Sequence, residues 1–366
     1  MLALYRKYRP SKFKDLIGQD IIAKILQEAA RQDRLAHAYL LSGPRGTGKT
    51  TTARLIAKIA NCKTRLENEK HKATGEPCNA CDHCKSIDEG RTLDVIEIDA
   101  ASNRGIDEMR ALKENVRVAP TALPRKVFII DEAHMLTKEA SNALLKTLEE
   151  PPSYITIILA TTETEKIPST IASRTQKFQF KHVSLKCIAE KLKTIAKEEK
   201  IKISEEAIEL IAQAGEGSFR DAESLLDQMA SLSEGEISAD MVEITLGKLG
   251  FKKISSLAET LLKNNMEESL KILGAIADEG QNLPELLKDL ILHLRKVAVC
   301  AASTSMKSKL ETELPKNQME TVKNQASLWS AAHLELLKNL IRAYNQMRYS
   351  NFPQIPLEIA IIESLS

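Results

Sequence analysis

One eight-residue segment constrains the fold more than any other part of this sequence. It is Gly43-Pro44-Arg45-Gly46-Thr47-Gly48-Lys49-Thr50, which fits the pattern G-x-x-x-x-G-K-[ST] at every position. It lies between an apolar run, 38–42, and a stretch with helical spacing, 49–60. A glycine-rich loop between a strand and a helix points backbone N–H groups at phosphates. The segment therefore predicts a nucleotide-binding α/β fold.

The residues of this loop have separate expected tasks. Lys49 is expected to reach the terminal phosphates of ATP, and Thr50 to ligate Mg²⁺. The remaining residues, Gly43, Pro44, Arg45, Gly46, Thr47 and Gly48, are expected to bind the nucleotide with them. Residues 1–60 also hold twelve Lys or Arg against four Asp or Glu. Such an excess attracts the phosphates of nucleotides or DNA, and the alternative is a solvated basic face.

Apolar runs alternate with helical patterns between about residues 35 and 180. The predicted strands are 38–42, 93–99, 127–131 and 156–161, and the predicted helices are 49–60, 105–118 and 138–150. Short runs rich in Ile, Leu and Val are typical of buried parallel strands. Strand–helix–strand alternation predicts a parallel sheet with helices on its faces and ligands at the carboxyl ends of the strands.

Two predicted strands end in polar residues suited to nucleotide hydrolysis. Asp131 is expected to hold the Mg²⁺ shell, and Glu132 to polarise the attacking water as a general base. Thr161 and Thr162 end the next strand, where a hydroxyl can contact the γ-phosphate or the water; the alternative is simply the β-propensity of Thr. Arg220 stands at a helix start, where it opposes the helix dipole, and this suggests an anion as its partner.

Four of the six cysteines are close in sequence: Cys62, Cys78, Cys81 and Cys84. Four thiolates complete a tetrahedral structural Zn²⁺ site, and the polar segment around them has little apolar material with which to fold alone. His71 and His83 are rival ligands, which we expect to be bystanders. Cys187 and Cys300 are interpreted as ordinary helix residues, and disulfides are not expected.

The pattern becomes helical after about residue 181. Ser184, Ser204 and Ser238 are expected to cap helices, and Pro284 fits the first turn of another. We expect a loop over 303–315 and a last long helix over 331–347. The predicted domains are 1–180, with a zinc module at about 62–90, then 181–247 and 248–366.

No apolar run reaches the roughly 20 residues that a membrane span needs. Charge appears as early as Arg6 and Lys7, too soon for a secretory signal. We therefore expect a cytoplasmic chain without a membrane partner.

Several motifs together resemble the gamma/tau subunit family of bacterial sliding-clamp loaders over about residues 1–230. They are Tyr5-Arg6-Lys7-Tyr8-Arg9-Pro10, Phe13, Ile17-Gly18-Gln19, His37-Ala38-Tyr39-Leu40, the phosphate loop, Asp131-Glu132-Ala133-His134-Met135-Leu136, Asn142-Ala143-Leu144-Leu145-Lys146-Thr147-Leu148-Glu149-Glu150-Pro151 and Gly217-Ser218-Phe219-Arg220-Asp221-Ala222. The resemblance implies an AAA+ ATPase module with an inserted zinc module, a helical lid and an all-helical collar. It further implies a hetero-pentamer with other clamp-loader subunits, acting on the sliding clamp and primer–template DNA within DNA polymerase III holoenzyme.

The resemblance also implies roles for particular residues. The segment packing around adenine corresponds to Arg9, Pro10, Ile17 and Gly18. Thr162 or Thr161 corresponds to the first nucleotide sensor and Arg220 to the second. Arg174, in Ser173-Arg174, corresponds to a finger that reaches a neighbouring subunit's ATP; Thr175 stands where the family has Cys, and the alternative is a surface arginine.

The resemblance implies two further sites. The family has a four-cysteine zinc module, although the 15-residue gap between Cys62 and Cys78 is longer than its usual spacing. It also places DNA phosphates near the helix starts that correspond to Asn103, Arg104 and Lys138, for which the alternative is a solvent-facing role.

The leading hypothesis is an ATP-hydrolysing clamp-loader motor subunit that uses Mg²⁺. The alternatives are a non-hydrolysing, zinc-bearing scaffold subunit of the same fold and another AAA+ DNA motor, such as a branch-migration helicase. The sequence leaves open whether the chain is a short gamma form or part of a longer tau form.

Overall fold

The computed structural model describes residues 3–102, 118–233, 235–246, 251–314, 316–347, 349–350 and 352–365. The chain divides into two compact units, each of which is discontinuous in sequence. The first consists of Met1–Glu199 and Ala212–Gln228, and the second of Lys200–Ile211 and Met229–Ser366.

The first unit contains a five-stranded parallel sheet in the order β2-β3-β4-β1-β5. The strands are β1 (Ala38–Ser42), β2 (Val95–Asp99), β3 (Lys126–Asp131), β4 (Ile155–Thr161) and β5 (Gln176–Gln179). The predicted α/β class is confirmed, and the four predicted strands are present with end shifts of at most two residues. The expected helix over 105–118 lies outside the described residues.

β5 is the strand that the sequence analysis missed. Its residues are Gln-Lys-Phe-Gln, and only Phe178 is buried. β5 pairs with β1 at the edge of the sheet, so it needs one apolar side chain toward the core and not a continuous apolar run.

The pleat of the sheet creates two apolar cores. Alternate residues of β1 point to opposite faces, with Tyr39 and Leu41 in one core and Ala38 and Leu40 in the other. The helix Lys49–Asn61 packs on the first face, and Lys138–Glu149 on the second. The described α-helices of this unit before residue 200 are Leu4–Lys7, Asp20–Arg31, Lys49–Asn61, Lys63–Glu67, Glu69–Lys72, Asp82–Asp88, Lys138–Glu149, Ser169–Ala172 and Leu185–Glu198. The described 3-10 turns are Phe13–Asp15, Ala133–Met135 and Thr164–Lys166.

The strand register places the polar ends of neighbouring strands side by side. Ser42 at the end of β1 pairs with Thr161 at the end of β4, and Asp99 of β2 pairs with Asp131 of β3. The carboxyl ends of the parallel strands thus lie along one edge, where ligands of such sheets bind.

The predicted helix caps are confirmed. Ser184 Oγ accepts a hydrogen bond from Cys187 N, Ser204 Oγ from Ala207 N, and Ser238 Oγ from Met241 N. Two helices, Glu205–Ala214 and Phe219–Leu232, include residues of both units.

The second unit is helical among its described residues. Its other helices are Ala239–Thr245, Phe251–Leu262, Met266–Asp278, Leu283–Ala302, Thr304–Glu313, Lys316–Ala326, His333–Met347 and Gln354–Leu365. The helices from residue 251 onward share one core built mainly from leucine. Pro284 is in the first turn of its helix as predicted, and Cys300 is buried there.

Two expectations for this unit were wrong. The segment expected to be a loop at 303–315 contains the helix Thr304–Glu313, which Ser303 caps by accepting a hydrogen bond from Met306 N. Among its described side chains, Ser305, Ser308 and Glu311 are exposed while Leu310 is buried in the shared core, so the polar sequence belongs to an exposed helix and not to a loop. The helix ending at Met347 is also not the last, because Gln354–Leu365 follows it and buries Leu357 and Ile361.

Among the described residues, no helix is both long and apolar enough to cross a bilayer.

Candidate functional site

The phosphate loop connects β1 to the helix Lys49–Asn61. Three of its residues, Gly43, Gly46 and Gly48, have φ angles of 140°, 70° and 102°. A Cβ on Gly46 would lie 1.8 Å from Ser218 Oγ, and one on Gly43 would lie 2.4 Å from the carbonyl oxygen of Phe180. Glycine is therefore required both by the left-handed backbone and by the close approach of neighbouring chain segments.

Lys49 is held inside the loop. Its Nζ donates hydrogen bonds of 2.8 Å to the carbonyl oxygens of Gly43 and Pro44, and the residue is only 6% exposed. Burial lowers the pKa of Lys49, while the charges of Glu132 and Asp131 oppose that shift. The ammonium group is thus held at the loop by two backbone carbonyl groups.

Thr50 contacts Asp131 at the carboxyl ends of the strands, as the sequence predicts for a magnesium site. Thr50 Oγ1 donates a hydrogen bond of 2.6 Å to Asp131 Oδ2, and Asp131 Oδ1 accepts one of 3.0 Å from Glu132 N. Hydroxyl and carboxylate oxygens are the hard ligands that Mg²⁺ prefers, together with phosphate oxygens. The donor set at this point fits that ion.

Glu132 has a strained backbone and an anchored side chain. Its φ and ψ are 48° and 46°, a left-handed conformation that costs a non-glycine residue about 1–3 kcal/mol. Its Oε2 accepts a hydrogen bond of 3.1 Å from Thr162 Oγ1 and lies 3.4 Å from His134 Nδ1. Strain of this kind is common where a side chain must be aimed at a reacting group.

The two threonines at the end of β4 have different surroundings. Thr162 contacts Glu132, whereas Thr161 is fully buried and its Oγ1 contacts Glu163 N and His134 Nδ1, each at 3.0 Å. Of the two, Thr162 is therefore the one that touches the expected general base. His134 had no role in the sequence analysis, although its other ring nitrogen, Nε2, lies 3.1 Å from Glu163 Oε1.

A cavity adjoins the phosphate loop within the first unit. The expected site residues that line it are Arg9, Pro10, Ile17, Arg45, Gly46, Thr47, Gly48, Lys49, Thr50, Asp131, Glu132 and Arg220. The lining residues that sequence reasoning missed are Tyr5, Asp15, Leu16, Gln19, Thr51, Lys191, Phe219 and Glu223. Helix periodicity could have indicated Glu223, because it follows Arg220 by one turn.

Some expected site residues do not line this cavity. Gly18, with φ of 77°, lies beside Val183, while Gly43 and Pro44 contribute carbonyl groups to Lys49. Arg174 is separate from the cavity lining: its guanidinium pairs with Glu149 Oε1 at 2.8 Å and donates to Thr170 O at 2.7 Å.

The expected second sensor, Arg220, is exposed at the start of the helix Phe219–Leu232. Its guanidinium lies 5.2 Å from the centroid of the Tyr5 ring, which is within the range of a cation–π contact. The basic side chain is therefore supported at the cavity by an aromatic ring.

The four predicted zinc ligands converge. The Sγ atoms of Cys62, Cys78, Cys81 and Cys84 all lie within 4.8 Å of one another, and Cys62 and Cys84 are buried. The hydrogen bond between Cys62 and Cys84 lowers the pKa of Cys62 and raises the pKa of Cys84. Four convergent sulfur atoms match the ligand set of a tetrahedral Zn²⁺ site. His83 is turned away, with Nδ1 2.8 Å from Asn61 O, and His71 is not in the cluster.

The cysteine segment is tied to the wall of the cavity. Glu76 accepts hydrogen bonds from Phe13 N at 2.7 Å and Lys14 N at 2.9 Å, just before cavity-lining Asp15. Asn79 Nδ2 donates to Ser11 O at 2.9 Å, beside cavity-lining Pro10. Sequence reasoning did not anticipate this link between the two sites.

The expected DNA contacts fall mostly outside the described part of the chain. Asn103 and Arg104 lie outside the described residues. Lys138 begins a helix that Thr137 caps, with Thr137 Oγ1 accepting from Ala140 N, but the Lys138 side chain is outside the described atoms. These contacts stay predictions.

Three family models match successive parts of the chain. Residues 18–184 match "DNA polymerase III, delta subunit", and residues 187–235 match "DNA polymerase III clamp loader subunit, ATPase lid domain". Residues 237–366 match "DNA polymerase III subunits gamma and tau domain III".

Relatives of similar and of greater length were found. DNA polymerase III subunit tau of Bacillus subtilis is 40% identical over 99% of this chain and 62% of its own length. The chain thus spans less than two thirds of that relative. A solved structure of Thermotoga maritima RuvB has 20% identity and a TM-score of 0.48, over 84% of this chain and 99% of its own. DNA polymerase III subunit gamma of Buchnera aphidicola subsp. Acyrthosiphon pisum is 35% identical over 99% of this chain and 98% of its own length. The chain therefore belongs to the gamma/tau subunit family of bacterial DNA polymerase III.

Proposed function

We propose that this chain is an ATP-hydrolysing motor subunit of a bacterial clamp loader, which opens the sliding clamp and loads it onto primed DNA. The observation that carries the proposal is the contact chain from Thr50 through Asp131 to Glu132, next to a preformed phosphate loop. Membership of the gamma/tau family supports the same activity.

The residues of the site divide the work of phosphoryl transfer. Backbone N–H groups of the loop and the Lys49 ammonium bind the phosphates, and Thr50 and Asp131 hold the metal. Mg²⁺, when bound, neutralises charge on the transferred phosphoryl group. Glu132 polarises the attacking water, and Thr162 orients that carboxylate through its 3.1 Å hydrogen bond.

Two arginines act on the developing charge from different subunits. Arg220 acts in cis from the cavity of its own chain, where it is a lining residue. Arg174 acts in trans on the ATP of a neighbouring subunit, which agrees with its separation from the cavity lining of its own chain. A guanidinium in this role is worth roughly 10³–10⁵ in rate in other nucleotide hydrolases.

The proposal includes the wider assembly. We infer an AAA+ domain over 1–180, a lid over 181–247 and a collar over 248–366, assembled with other clamp-loader subunits in the cytoplasm around primer–template DNA. The cysteine cluster holds one structural Zn²⁺, because a closed shell of four thiolates leaves no position for a substrate. Arg9, Pro10 and Ile17 form the base-side wall of the ATP site.

The non-hydrolysing scaffold is the second candidate. A scaffold has no need for Glu132 in a strained backbone with an anchored carboxylate, so the geometry of Glu132 favours the hydrolase. The third candidate, another AAA+ DNA motor, does not account for the full-length match to a gamma subunit.

Reconstituted clamp loading tests the proposal. The chain is assembled with its companion subunits, and transfer of a fluorescent clamp to primed DNA is followed with ATP. Loading should fail with Lys49→Ala, because the main phosphate counter-charge is lost, and persist with Lys24→Ala, an exposed lysine outside the cavity. Equal loading by both variants would contradict the motor function.

A further inference from the structure

Glu223 is a buried acid in the cavity that the proposed mechanism does not use. It is 5% exposed and lines the same cavity as the phosphate loop. Among the described residues, its carboxyl group makes no hydrogen bond and no ion pair. Buried polar groups nearly always have partners, and because Glu223 lines the cavity, a ligand bound there can supply the partner of its carboxyl group.

The pKa of Glu223 is consistent with a carboxyl group that lacks a hydrogen-bond partner. Burial raises the pKa of Glu223 to about 7, although the positive charges of Lys191 and Arg9 act in the opposite direction. Burial of an unpaired carboxyl disfavours its charged form and destabilises the folded chain. A hydrogen-bond donor brought in by a ligand would remove that penalty.

The position of Glu223 favours a contact with the nucleoside of a bound nucleotide over a contact with its phosphates. Phe219 N donates to Gly46 O at 3.3 Å, which fixes the start of the helix at the phosphate loop. Glu223 is four residues further along, about 6 Å along the helix axis. A carboxyl against phosphates would be repelled, whereas Lys49 and Arg220 already supply positive charge to the cavity.

We propose that the Glu223 carboxyl accepts a hydrogen bond from the nucleoside part of the bound nucleotide and so sets the selectivity of the site. The donor is an N–H of the adenine amino group or an O–H of the ribose, and these share one chemistry. The inference rests on the proposed function, since it assumes that ATP occupies this cavity. A site that hydrogen-bonds a ligand group rejects analogues without it, because a buried polar group is then left unpaired.

Affinity measurements with a set of analogues test the inference. The full chain is titrated in Mg²⁺ with ATP, 2′-deoxy-ATP, 3′-deoxy-ATP, purine riboside triphosphate without the 6-amino group, and inorganic tripolyphosphate. ATP should bind about 10- to 100-fold more tightly than the one analogue that lacks the donor. Which analogue is weakened identifies the base or the ribose as its source.

Variants of Glu223 provide the deciding comparison. Glu223→Leu should weaken ATP binding to the affinity that the wild type has for that analogue, and should bind ATP and the analogue equally well. Its affinity for tripolyphosphate should be unchanged. Glu223→Gln keeps an acceptor oxygen and a similar size, so it should retain most of the discrimination. The control Glu190→Leu removes an exposed carboxyl outside the cavity and should bind every ligand like the wild type.

Two outcomes would overturn the inference. One is that the ratio of the affinities for ATP and for the weakened analogue in Glu223→Leu stays within twofold of the wild-type ratio. The other is an equal loss for tripolyphosphate and ATP, which would mean that the phosphate half of the site was disturbed. If Glu223→Leu does not fold, the comparison is made with Glu223→Ala, which also lacks the acceptor and to which the same two outcomes apply. Failure of the wild type to bind ATP at all would instead refute the proposed function.

Discussion

Glu76 offers a sharp test of how the cysteine segment supports the nucleotide cavity. Its carboxylate accepts hydrogen bonds from Phe13 N, Lys14 N and Gln27 Nε2, the last at 2.6 Å, and Glu76 is 7% exposed. Replacement by Ala removes both acceptor oxygens, and with them all three hydrogen bonds, and leaves the N–H of fully buried Phe13 without this partner. The wall of the cavity at Asp15 should then open locally.

The size of the effect follows from the bonds that are lost. A hydrogen bond to a charged group contributes about 1.5–3 kcal/mol, and three bonds to one carboxylate do not add fully. Local opening of 11–17 should therefore become easier by about 3–5 kcal/mol, which is a fall in amide protection of roughly 10²–10⁴-fold.

Hydrogen exchange followed by mass spectrometry measures this opening without assuming two-state unfolding of a two-unit chain. The control is Glu69→Ala, in the same segment, whose side chain is 88% exposed and, among the described residues, makes an ion pair of 3.5 Å with Lys72. It should change protection by less than threefold, because exposed pairs contribute about 0–1 kcal/mol. Protection of residues 11–17 in Glu76→Ala within threefold of the wild type would refute the reasoning.

Further predictions concern the metal, the trans arginine and DNA. Metal analysis should find one Zn²⁺ per chain, and Cys81→Ser should lose it readily while ATPase activity falls less than local stability, because the cluster lies beside the cavity. Absence of zinc after chelator-free purification would refute this. Complexes that contain both Lys49→Ala and Arg174→Ala chains should regain ATPase activity, because the intact loop of an Arg174→Ala chain can face the intact Arg174 of a Lys49→Ala chain. If such mixtures co-assemble but stay as inactive as either parent, Arg174 has no trans role. Charge removal at Arg104 or Lys138 should weaken DNA binding for all sequences and reduce its salt dependence, and an unchanged salt slope would mean that these residues face solvent.

The sequence predicted the sheet well because its strands are short apolar runs that each end at a polar residue. Strand β5 was not predicted from the sequence, because an edge strand with one buried residue, Phe178, contains no apolar run. The helix Thr304–Glu313 escaped for a similar reason, since Leu310 is its clear contact with the core. Local pattern therefore identified the strands that contain an apolar run, including the edge strand β2, whereas β5 and the helix Thr304–Glu313 depended on tertiary contacts.

The same division holds for the site. The phosphate loop, Asp131 and Glu132 follow from motifs in which spacing along the chain fixes position in space. Glu76 does not, because its partner Phe13 is 63 residues away in sequence. Glu223 follows Arg220 by one helical turn, but the burial that distinguishes it from a surface acid exists only in the folded chain.

Nucleotide binding and turnover by Glu132→Gln test the central claim most directly. Glutamine keeps the side-chain size and the contact with Thr162 but cannot polarise water as a base. In the assembled complex, Glu132→Gln should bind ATP with an affinity close to that of the wild type while steady-state hydrolysis is nearly abolished. The exposed control Glu165→Gln should keep both. Undiminished hydrolysis by Glu132→Gln would contradict the assignment of this site as the hydrolytic centre.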